Sequence, residues 1–71
     1  MFVHKVTFGD GFVARVPRAA AVHALAFSER MSTESAGQLL DRMEAAVLAD
    51  PDGPALFVGT GERSLEVWLV G

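Results

Sequence analysis

FVHKVTFGDGFVARV, residues 2–16, is the stretch that decides the fold. It alternates on both sides of a glycine-rich turn. Phe2, His4, Val6 and Phe8 share one face, and Val3, Lys5 and Thr7 the other, the period-two signature of a half-buried strand. Gly9-Asp10-Gly11 comes next, and Asp-Gly favours a tight hairpin because glycine accepts positive φ at no steric cost. Phe12 to Val16 alternates again, with Phe12, Ala14 and Val16 opposite Val13 and Arg15. The reading is a β-hairpin that places a largely apolar face on a core.

The middle of the chain must cover that core. Pro17 cannot donate to a sheet ladder, so it ends the second strand, and it suits the first turn of a helix. Ala19 to Glu29 reads helical, with Ala19, Val22, Leu25 and Ala26 as its stripe. Ser32 or Thr33 is a good N-cap, since either hydroxyl can accept from an orphan N–H of the next turn. Ala36, Leu39, Leu40, Met43 and Val47 then form the stripe of a second, core-facing helix. One long bent helix from Arg18 to Ala49 is the alternative. Asp50-Pro51-Asp52-Gly53-Pro54 stops the helix, because Pro51 pushes Asp50 out of the α region. Ala55 to Gly59 reads as a short, fully apolar strand. After the turn at Gly59-Thr60-Gly61, Ser64 to Val70 is the last strand, with Leu65, Val67 and Leu69 opposite Glu66, Trp68 and Val70.

The order ββ(α)αββ predicts an α+β domain, with one or two helices packed on one face of a four-stranded antiparallel sheet. Val3, Val13, Trp68 and Val70 fall on the uncovered face. They are the interface candidates, with Trp68 as an anchor.

Composition sharpens that expectation. The chain has 71 residues, 51% of them hydrophobic, and no Cys. A chain this short forms one domain and buries only about 60% of its unfolded surface. Without a disulfide or a cysteine-based metal site, oligomerisation is the remaining staple. The mean hydropathy of +0.31 is high for so small a chain, which points to an interface with itself or another protein. The net charge of −3 argues against nonspecific binding to nucleic acid or to an anionic membrane. No apolar run approaches the length of a membrane span, and the start lacks the apolar region of a signal peptide, so the expected compartment is the cytoplasm. The chain lacks Asn, Ile and Tyr, whose codons are AT-rich, which suggests a GC-rich genome such as that of an actinobacterium or one of its phages.

Residues that could carry chemistry are few. His4 sits on the apolar face of the first strand and reads as a hydrogen-bonded core residue, and His23 lies in an alanine-rich helix. Asp50 and Asp52 lack the further ligands of a calcium loop. Gly59-Thr60-Gly61 precedes neither a Lys-Ser/Thr pair nor a helix, so it is no phosphate cradle. No catalytic, cofactor or metal site is expected.

Leu25 to Glu44, LAFSERMSTESAGQLLDRME, resembles the helix-turn-helix of winged-helix regulators, with Ala55 to Val70 in the place of the wing. That resemblance implies a DNA-binding transcription regulator. Arg30 stands where such turns carry Gly, and Glu34, Asp41 and Glu44 outnumber Arg42 on the would-be recognition helix, which phosphate would repel. The residues therefore favour a small non-enzymatic protein–protein interaction module, a homodimer, over the DNA-binding alternative.

Overall fold

The computed structural model describes residues 1–71. Its elements run β1 (Phe2–Thr7), β2 (Val13–Val16), α1 (Arg18–Glu29), α2 (Thr33–Ala49), β3 (Ala55–Val58), a short 3-10 turn (Thr60–Glu62) and β4 (Ser64–Leu69). This is the expected α+β arrangement. The sheet is antiparallel throughout, in the order β2-β1-β4-β3, so the first and last strands are central and β2 and β3 are its edges. No helix is long and apolar enough to cross a membrane.

The first turn closes as its composition predicts. Phe8 N–H donates to the Phe12 carbonyl, and Gly11 N–H to that of Phe8, each at 2.8 Å. Gly11 takes φ 88°, and the Asp10 carboxylate accepts from Phe12 N–H. Gly11 takes the Phe8 carbonyl and Asp10 takes the Phe12 N–H, so Phe12 makes only one of its two ladder bonds and β2 starts at Val13, one residue later than the alternation suggests.

Two helices form instead of one. Arg30 adopts the left-handed conformation, φ 53°, and ends α1, while Met31 N–H bonds back to the Ala26 carbonyl. The Ser32 hydroxyl then accepts from Ser35 N–H at 3.0 Å and caps α2. Pro17 sits at the N-cap of α1 rather than inside its first turn. The stripe of α1 also differs from the expected one. Ala21 and Leu25 are its buried residues, whereas Ala19 is exposed. The reason is angular: Ala21 is one turn before Leu25, but Ala19, six residues before it, lies on another side of the helix.

The core is the layer between helices and sheet. Val6, Leu65 and Val67 of the sheet meet Ala21 and Leu25 of α1 and Ala36, Leu40, Met43 and Val47 of α2. Leu40, Val47 and Val67 are fully enclosed. One sheet face is thereby closed and the other has no helix on it.

Candidate interaction surface

Register fixes the composition of the open face. Lys5 lies opposite Arg15 on β2 and Glu66 on β4, and Glu66 lies opposite Leu56 on β3. Towards one end of the strands the next row reads Val13, Thr7, Ser64, Val58. Towards the other end Val3 faces Trp68. Beyond that row, the Met1 ammonium donates to the Val70 carbonyl and Val70 N–H donates to Met1, which continues the β1–β4 ladder. A charged band therefore crosses the middle of the face, with apolar side chains at both ends.

The four sequence-predicted candidates are not equivalent. Val13 and Val70 are 53% and 48% exposed. Trp68 is half-buried, and its surroundings are polar: the indole N–H donates to Glu66 Oε1 at 3.0 Å, and Lys5 Nζ lies 5.2 Å from the ring centroid. That geometry allows a cation–π contact. Val3 shares this face but is buried, only 7% exposed, because the bulky indole stands directly across from it. It therefore supports Trp68 rather than offering surface.

Two further residues of the face lie outside those four candidates. Leu56 and Val58 point away from the helices and are 60% and 68% exposed. The signal was present in the sequence: a strand apolar at every position has apolar side chains left over when only one face is covered. Ala55 and Phe57 turn inward against the core.

A cleft of about 190 Å³ opens at one end of the covered face, between α1 and the sheet. Val6, Leu25, Phe57 and Leu65 form its floor, and Phe8 and the largely exposed Phe27 flank it. Glu29 latches that end. Its carboxylate accepts from Thr60 N–H at 3.0 Å and from the Thr60 hydroxyl at 2.8 Å. The Thr60 backbone bond, then its hydroxyl bond, hold the Glu29 carboxyl below its ordinary pKa. Gly59 lies close beside the latch: a Cβ there would meet Glu29 Oε2 at 2.5 Å and push the carboxylate aside.

His4 is buried on the covered face, as a hydrogen-bonded core residue. Its Nε2 lies 2.9 Å from Glu44 Oε2. The same carboxylate oxygen lies 2.6 Å from Arg18 Nη1, and Arg18 Nη2 lies 2.7 Å from Asp41. The hydrogen bond to Glu44 raises the Arg18 pKa most, against partial desolvation and with help from the charges of Glu44 and Asp41. Every buried side-chain polar atom in the protein has a partner. The group works as a clamp between β1, α1 and α2.

No family model, no curated protein and no solved structure matches the chain. The open face must therefore be judged by its own chemistry. Helix α2, the recognition helix of the winged-helix resemblance, exposes Glu34 and Asp41 beside Arg42, while Glu44 is bound up with His4 and Arg18. The hairpin that would be a wing is half of the central sheet.

Proposed function

We propose that the protein is a small non-enzymatic docking module that acts in the cytoplasm as a homodimer and binds another protein through the open face of its sheet. One observation carries this reading. The helices already close a complete core, yet Val13, Leu56, Val58 and Val70 remain about half or more exposed on the open side. Exposed apolar side chains on an uncovered sheet face, here flanking a charged band, support a protein–protein surface. Trp68 supplies a rigid anchor, steadied by Lys5 and Glu66.

Sedimentation of the wild-type chain, from the low micromolar range to about a millimolar, tests the homodimer, since a small interface associates weakly. The average mass should climb from one chain towards two; a single-chain mass throughout would sink the homodimer. The same preparation should leave duplex DNA unshifted even at low salt, where charge-driven binding is strongest. A salt-sensitive shift would instead favour a winged-helix regulator.

A further inference from the structure

We propose that a second copy of this chain joins through the free edge of β3, pairing antiparallel about a two-fold axis at Phe57, so that two four-stranded sheets become one of eight strands. This rests on the homodimer reading above and states where the copies meet and in which register.

The backbone sets the register. Met1 and Val70 exchange both of their hydrogen bonds, so by the strict alternation of antiparallel ladders the even-numbered residues of β4 turn their backbone groups towards β1. Leu65 and Val67 then face β3, where they lie opposite Phe57 and Ala55. Gly59 N–H donating to the Arg63 carbonyl at 2.7 Å fits the same alternation. The N–H and C=O groups of Leu56 and Val58 are left pointing away from the sheet. Centring a two-fold on Phe57 sets Leu56 of each copy opposite Val58 of the other. Four backbone hydrogen bonds close that seam. It cannot run further, because Pro54 has no N–H and Thr60 N–H is already held by Glu29.

Charge selects this edge over the other. Natural edge strands are commonly guarded by charge, proline or a covering loop. Strand β2 carries Arg15 at its centre, so a seam there would bring two guanidinium groups together. Strand β3 is Ala-Leu-Phe-Val, without a charge. Its two outward side chains are apolar and exposed, and pairing would gather Leu56 and Val58 of both copies into one patch. The two open faces would then be continuous, forming a wider docking surface than one copy offers.

A strand of four residues spans only roughly 13 Å, so the seam is smaller than a standard interface and association through it should be weak. The absence of native Cys allows a sharp test. Leu56→Cys and Val58→Cys chains are prepared separately and oxidised alone and mixed, at about a millimolar, since a small interface associates weakly. In the proposed register the mixed pair has its Cα atoms about 5.5 Å apart, within disulfide reach, whereas each variant alone places its two Cys about 9 Å apart. The mixture should therefore cross-link at least tenfold faster than either variant alone. Ala14→Cys oxidised alone, which keeps both Arg15 side chains and would stand on the axis of the equivalent β2 seam, should not. Equal rates in all samples, or faster linking through β2, would overturn the proposal. So would a failure to link while the wild type sediments as a dimer, which leaves the homodimer intact but moves its interface. A wild type of single-chain mass throughout removes both. In the unmodified chain, amide exchange of Leu56 and Val58 should slow severalfold with concentration, and unchanged exchange would count against the seam.

Discussion

The two faces of the sheet are built from the same four strands but obey different rules. On the covered face, apolar residues pack against two helices, and the only polar side chain buried there, His4, is matched by Glu44. On the open face, Lys5, Glu66 and Arg15 form a band between exposed apolar ends, and nothing in the chain covers them. The covered face holds the fold together; the open face is available for other work. Substitutions should separate the two roles by size of effect.

The largest loss is expected at Leu40, which is fully enclosed between α2 and the sheet. Leu40→Ala should lower unfolding stability by about 3 kcal/mol, combining lost transfer energy with an unfilled cavity. Small domains have only about 5 kcal/mol or little more to lose, so this variant should be near its unfolding midpoint in mild urea. A loss below about 1 kcal/mol would mean that the layer is not close-packed there.

Glu44 comes next. Removing it with Glu44→Ala leaves buried His4 without its partner and strips Arg18 of its closest carboxylate. The expected cost is about 2 kcal/mol, most of it from the stranded histidine. Glu44→Gln keeps an acceptor oxygen and should recover part of that loss in the same urea titration. Equal losses in the two variants would show that the carboxylate's charge, rather than its hydrogen bonds, holds the clamp.

The sequence reveals much of the covered face and less of the open one, for physical reasons. Alternation in the two strands of residues 2–16, a cap at Ser32 or Thr33 and the stripe of α2 are local patterns; the structure keeps all three, with Ser32 as the cap and Phe12 outside β2. The strand order is not local. Strand β3 is wholly apolar, which says nothing of its neighbours, and it lies at an edge, since β4 pairs with β1 on its other side. The clamp joins residues about forty positions apart, and no spacing rule links His4 to Glu44. Of the open-face candidates, period two was enough to place Val13 and Trp68. It could not foresee that Val3 is buried, because that depends on which side chain stands across the ladder.

The smallest effect is expected at Val13, and it bears most directly on the comparison. Val13 lies on the open face at the outer edge of the sheet, opposite Thr7 and more than half exposed. It fills no space in the core, and a lysine there could extend into solvent. Val13→Lys should therefore change unfolding stability by no more than about 0.5 kcal/mol, the usual range for surface positions, despite exchanging an apolar side chain for a charged one. The same exchange on the covered face, at Val67, would bury an unpaired charge. If Val13→Lys instead cost as much as Glu44→Ala in the same titration, the side chain would be holding the hairpin together. The open face would then be a second structural layer, and its apolar residues would no longer argue for a partner.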